Sequence, residues 1–158
     1  MSFTEAECTA PKKFVEGGGT VVADPHVGSP VFAKALRKEL EELFGAFQPL
    51  STDPSLAEGR FEGGVDLSRG VGFTLPARQL LRGRGEKPEG QKLLIALVKK
   101  RPAVIFSEFD LVASAAGIAN YKALAYKPDS ARKILGNLVM YLNLDRVASM
   151  PFTWPRQF

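Results

Sequence analysis

The sequence predicts an α+β fold, mainly helical, with a few short strands in the N-terminal half. Three observations carry that expectation. Residues 29–47, "SPVFAKALRKELEELFGAF", place Phe32, Leu36, Leu40, Leu43 and Phe47 at helical spacing. Further helix-length apolar patterns follow in the second half, the last around Ile134, Leu135, Leu138, Val139 and Leu142. Glycine and proline cut much of the first half into pieces too short for helices. The organisation expected is an irregular segment over residues 1–28, a single globular domain over 29–150, and an aromatic, proline-rich tail over 151–158.

Within residues 1–28, Gly17, Gly18 and Gly19 read as a flexible joint, and Thr20 to Ala23 as a short strand. The next helix starts at Ser29, whose hydroxyl can accept a bond from an orphan N–H, with Pro30 at the first helical position. Its off-stripe charges include Arg37 with Glu41 and Lys38 with Glu42, two pairs at the four-residue spacing of a weak helical ion pair. Residues 48–72 are rich in turn formers. "RFEGGVDLSRGVGF" reads as a hairpin turning at Gly63 and Gly64, or as an ordered loop. Thr74 caps a short helix over 74–82, and a basic turn, Gly83 to Lys92, follows. "KLLIALV" reads as the body of a central helix from Pro88 to Lys100, ended by Pro102. "AVIF", residues 103–106, is a buried strand or a packed linker. Ser107 and Asp110 resemble a capping box for a helix that runs to Ala116. Gly117 suits the left-handed position after it, a short helix occupies 120–127, and the last helix starts near Asp129 or Ser130.

Composition narrows the function classes. The chain has 158 residues, 45% hydrophobic and 24% charged, which suits one ordinary globular domain. No apolar run approaches the roughly 20 residues of a membrane span, and the N-terminus lacks the pattern of a secretory signal, so a cytoplasmic location is the expectation. One cysteine, Cys8, and one histidine, His26, leave no intramolecular disulfide and too few ligands for a structural zinc site. No metal and no cofactor are expected. A Cys–His catalytic pair could only be Cys8 with His26, and the polar, loose segment expected around Cys8 speaks against an activated thiol.

The net charge of +4 is unevenly distributed. Residues 1–77 carry 7 basic and 11 acidic side chains, residues 78–101 carry 8 and 2, and residues 102–158 carry 6 and 4. The middle segment, with Arg78, Arg82, Arg84, Lys87, Lys92, Lys99, Lys100 and Arg101, suits nucleic acid or another polyanion. Lys99, Lys100 and Arg101 also have a plain reading as cations at a helix end. Gly85 and Gly90 have the spacing of the glycines in a phosphate-binding loop. Gln91 and Lys92 stand where Lys and Ser or Thr are required, which excludes nucleotide hydrolysis of that type.

Residues 107–127 have the shape of a helix-turn-helix. Ala113 is the small residue at the crossing, Gly117 makes the turn, Ile118 plugs the core, and Ala123 and Leu124 anchor a second helix. That helix presents Asn120, Tyr121, Lys122 and Lys127, residue types that read bases or hold phosphate. The plain alternative is a helical corner. Asp24 beside His26, and Asp53, Glu58, Glu62 and Asp66 in the glycine-rich stretch, are acids without an identifiable pairing. In the tail, Phe152, Trp154 and Phe158 either fold back on the domain or dock on a partner.

The sequence therefore points to a non-enzymatic domain that binds nucleic acid or an acidic surface through residues 78–101, with possible help from the corner at 107–127. The alternative is a structural subunit of a virion or another large complex. Its extended N-terminus, glycine-rich loops and aromatic tail would then grip a protein partner or further copies of the chain. Carboxylate or lysine catalysis stays open.

Overall fold

The computed structural model describes residues 5–118 and 122–149, with side chains over 7–118 and 122–144. In chain order the elements are α1 (Glu5–Glu16), β1 (Val21–Ala23), α2 (Pro30–Phe44), β2 (Gln48–Pro49), α3 (Pro54–Ala57), α4 (Leu75–Gly83), β3 (Leu93–Val98), β4 (Arg101–Ser107), α5 (Val112–Ala115) and α6 (Pro128–Ser149). The fold is α+β. The four strands form one mixed sheet in the order β1-β4-β3-β2. β1 runs parallel to β4, while β3 is antiparallel to both β4 and β2.

Strand alternation divides the apolar side chains between two faces. Leu94, Ala96, Val104 and Phe106 pack against Ala33, Leu36 and Leu40 of α2. Leu93, Ile95 and Ile105 point the other way, into the larger core. There they meet Phe73, Ala77, Leu81, Tyr126, Ile134 and Leu138, all essentially inaccessible to solvent. The sheet is thus the middle layer between α2 and the α4–α6 side. Phe73, Phe109 and Tyr126 form an aromatic triad in this core, with ring centroids 4.7–6.0 Å apart.

α2 forms where its stripe and cap dictate. Ser29 Oγ accepts the Phe32 N–H, Pro30 opens the helix, and the two ion pairs form at 2.9 and 3.7 Å. The strand at Thr20 to Ala23 is present as β1, and "AVIF" lies within β4.

The segment expected as a helix from Pro88 to Lys100 is instead the strand β3, joined to β4 by a two-residue turn. "KLLIALV" is an unbroken apolar run that covers both faces of a central strand, with only Leu97 left exposed, and such a run has no period that tells a strand from a buried helix. Lys99 and Lys100 adopt φ of 51° and 63°, the two left-handed residues of a tight hairpin turn, between the paired Val98 and Arg101. The two longest strands therefore lie in the second half of the chain, not the first.

Residues 5–16, expected to be irregular, form α1, with Pro11 inside it. Residues 61–72 form an ordered loop and not a hairpin. Asn137 of α6 clasps that loop, its Oδ1 accepting the Val65 N–H at 2.9 Å and its Nδ2 donating to the Val65 carbonyl at 2.6 Å.

The helix-turn-helix reading is also revised. α5 is a single turn, and residues 122–127 are not helical. Leu124 to Lys127 run extended between Gly72–Thr74 on one side and Asp110 on the other. The Asp110 N–H donates to the Leu124 carbonyl, the Thr74 N–H to the Ala125 carbonyl and the Lys127 N–H to the Gly72 carbonyl, each at 2.9 Å. The short Ser107-to-Asp110 span is not a helix start. Ser107 Oγ bonds the backbone of Phe109, and Asp110 Oδ1 accepts the Ser114 N–H. On α6, Ile134 and Leu138 are buried as expected, but Val139 is 61% exposed. Asn137 takes the inward position beside Leu138.

A candidate anion-binding cleft

A cleft of about 800 Å³ opens at the end of the sheet where β4 finishes and β3 begins. One wall is the first half of α2, through Pro30, Ala33, Lys34 and Arg37, four positions that share one helical face. The opposite wall is the loop from Arg84 to Lys92. Leu94 and the buried Phe106 lie in the floor, and Glu108 closes the β4 end.

The loop wall is held in place by backbone bonds. The Gln91 N–H donates to the Leu67 carbonyl at 2.9 Å, and the Lys92 N–H donates to the Tyr126 hydroxyl at 2.9 Å. Gly90 is buried with φ of 72°, and a β-carbon there would lie 2.7 Å from the Ser68 carbonyl oxygen. Only glycine allows this approach. Burial pushes the Tyr126 hydroxyl well above the ordinary tyrosine range, and its bonds to Lys92 and Ser107 offset this only in part. Next to the cleft-lining Ser68, Asp66 accepts both the N–H and the hydroxyl of that serine. These bonds hold its carboxyl below the usual carboxylate range.

Four cations line the cleft, from three different parts of the chain: Lys34 and Arg37 from α2, Arg84 from the end of α4, and Lys92 from the edge of β3. Three carboxylates accompany them. Arg84 Nη1 meets Glu108 Oε1 at 2.6 Å, and Lys92 Nζ meets Glu86 Oε2 at 3.9 Å. Arg37 pairs along its own helix with Glu41. Lys34 and Glu89 have no ion pair among the described residues.

The basic segment expected from the sequence is therefore divided. Arg84 and Lys92 line the cleft, and Lys87 is exposed on the same loop. Arg82 is exposed in the last turn of α4. Arg78 is half-buried on that helix, and its Nε is inaccessible to solvent with no hydrogen-bond acceptor among the described residues. Lys99 and Lys100 sit at the far end of β3, roughly 20 Å away at the rise of a six-residue strand. Arg101 has a structural role. Its guanidinium donates to the carbonyls of Val15 and Gly19 and to Thr20 Oγ1, tying the end of α1 to the start of β4. Lys122 is exposed, whereas Asn120, Tyr121, Phe152, Trp154 and Phe158 lie outside the described residues.

Sequence reasoning passed over Lys34, Arg37, Glu89 and Glu108. The first two are visible in the sequence only as off-stripe helical charges, some fifty residues from their partners across the cleft.

Among the described residues no group of three or more His, Cys, Asp or Glu side chains is placed to hold a metal ion, and no helix is long and apolar enough to cross a membrane. Neither the curated proteins nor the solved structures include a match to the chain. One family model does match, over residues 1–142 of 158, so the chain belongs to the family described as a domain of unknown function, DUF4159.

Proposed function

We propose that this is a binding domain for phosphate-rich anions, nucleic acid in the first instance, and that its contact is the cleft between α2 and the Arg84–Lys92 loop. The observation that supports this reading is the convergence of Lys34, Arg37, Arg84 and Lys92 on one concavity. A concave, partly apolar site strengthens charge–charge attraction relative to open water. The reading narrows the basic segment to its cleft-lining members, with Arg82 and Lys87 as outlying attraction, and leaves out the helix-turn-helix. Fluorescence anisotropy with labelled single-stranded and duplex DNA and RNA, at two salt concentrations, tests it. Binding should weaken steeply with salt and disappear when Lys34, Arg37, Arg84 and Lys92 are all changed to alanine in a protein that keeps its melting temperature. Absence of binding at low salt would overturn the reading.

A second reading, as an assembly subunit, draws on the outer face of α6. Val139, Met140 and Leu144 are 61%, 39% and 38% exposed there, shortly before the aromatic tail. Apolar exposure on a long helix suits a protein partner. Light scattering across a concentration series, with and without residues 150–158, tests it. A monomer of unchanged mass throughout would count against self-assembly.

A further inference from the structure

We propose that the cleft receives a single nucleotide unit, with guanine preferred among the bases. This rests on the anion-binding reading of the same cleft and goes on to name the ligand. Most of the charges in the cleft are already engaged. Arg84 is held by Glu108, Lys92 by Glu86, and Arg37 by Glu41. Two charges of opposite sign remain without an ion pair among the described residues, Lys34 on the α2 wall and Glu89 on the loop wall. The floor they share contains Leu94 and Phe106.

A ligand that uses all of these features has an anionic group for Lys34, an apolar body for the floor and hydrogen-bond donors for Glu89. Inorganic phosphate or pyrophosphate provides only the first, and meets Glu89 as a like charge. A nucleic acid duplex has the phosphates, but base pairing occupies the Watson–Crick edge that carries guanine's adjacent donors, and a rod cannot enter a cleft of about 800 Å³. That volume lies in the range of small-ligand sites, roughly 300–1,000 Å³. A nucleotide unit has a phosphate at one end, an apolar ring face and a donor edge at the other. Among the common bases only guanine presents two adjacent N–H donors, matching the two oxygens of a carboxylate. Cytosine offers one amino group for such a contact. The unit can be a free nucleotide or one residue of a single strand.

Isothermal titration calorimetry on the full chain distinguishes these cases, with guanosine and uridine monophosphates, inorganic pyrophosphate, a short single-stranded RNA rich in guanine, and its duplex as probes. Guanosine monophosphate should bind about tenfold more tightly than uridine monophosphate and more tightly than pyrophosphate. Glu89→Ala should remove the base preference and leave uridine monophosphate binding no weaker. Lys34→Ala should weaken every probe. Both positions are exposed, and an unchanged melting temperature confirms that each variant is folded.

If pyrophosphate or the duplex binds as tightly as guanosine monophosphate, the inference is overturned while the anion-binding reading stands. Equal binding of the two nucleotides also overturns it. If no anion binds, both fail. Tighter binding of the single strand than of the monophosphate identifies a strand as the source of the nucleotide, and the reverse identifies a free nucleotide.

Discussion

Asp24 and Asp110 each hold the segment that follows the other's strand. Asp24, just after β1, accepts the N–H groups of Leu111 at 2.8 Å and Val112 at 3.0 Å through one carboxylate oxygen, capping α5. Asp110, three residues after β4, accepts the Val27 N–H at 3.0 Å with one oxygen and the Ser114 N–H at 3.1 Å with the other. β1 and β4 are parallel neighbours, so this exchange locks together the two loops that leave the same end of the sheet. Asp110 is 3% exposed, and both of its oxygens are in use. Asp110→Asn turns an acceptor into a donor facing an N–H. It should lower stability by roughly 2–3 kcal/mol. Asp24→Ala should cost about 1 kcal/mol, the usual effect of losing a helix cap. Urea denaturation of the two variants checks both the magnitudes and their order.

The turn between β3 and β4 has a suboptimal sequence for its geometry. Both central residues have positive φ, a conformation for which Asn followed by Gly is best suited, yet both are lysines. Changing Lys99 to Asn together with Lys100 to Gly should raise stability by about 1 kcal/mol, since a lysine gains nothing from a left-handed backbone. The pair is also remote from the cleft by more than the roughly 8 Å screening length at physiological salt. Oligonucleotide affinity at that salt should therefore be unchanged. A large loss of affinity would return these two lysines to the binding surface.

The sequence made α2 legible because its stripe, cap and opening proline all agree, and the helix ends within three residues of the expected position. β3 was illegible because an unbroken apolar run removes the periodicity that separates helix from strand, even though Leu97 is exposed, and because a Lys-Lys turn carries no hairpin signal. The extended run Leu124 to Lys127 misreads as a helix for another reason. It is fixed by long-range bonds to Gly72, Thr74 and Asp110, none of which leaves a local trace. The cleft was half legible. Arg84 and Lys92 stand in the segment whose charge is anomalous, whereas Lys34 and Arg37 reach it only through the packing of α2 on the sheet.

Tyr126 sets an alkaline limit to stability. Its hydroxyl is fully buried, so burial raises its folded pKa far above the ordinary value of 10.0. Below pH 10 both folded and unfolded states keep the proton and the pH dependence from this group vanishes. Above it the unfolded state releases the proton and the folded state does not, so stability falls as pH rises toward the folded pKa. Tyr126 should form tyrosinate only as the protein unfolds. Tyr126→Phe should remove that absorbance step. At neutral pH it should also cost about 1–2 kcal/mol, because the Lys92 N–H loses its acceptor. A spectrophotometric titration run alongside circular dichroism checks this. Early, reversible titration of all three tyrosines in the folded protein would contradict it.

The carboxylates of the cleft occupy the cations that an anionic ligand would use. Glu108 holds Arg84 at 2.6 Å, and both side chains are 37% exposed, so the pair sits in a partly screened setting. Pairs of this kind contribute up to about 1 kcal/mol. Glu108→Gln keeps the size and removes the charge, which frees Arg84 and takes a repelling group out of the site. Affinity for a single-stranded oligonucleotide should therefore rise, by about two- to fivefold, while thermal stability falls slightly. Glu86→Gln should act in the same direction on Lys92, but more weakly, because that pair is looser at 3.9 Å. The contrast with Arg84→Ala is informative, since that change removes the cation itself and should weaken binding. Anisotropy titrations of the three variants at one salt concentration read the ordering directly. If Glu108→Gln and Arg84→Ala shift affinity in the same direction, Arg84 serves the fold through Glu108 and does not meet the ligand.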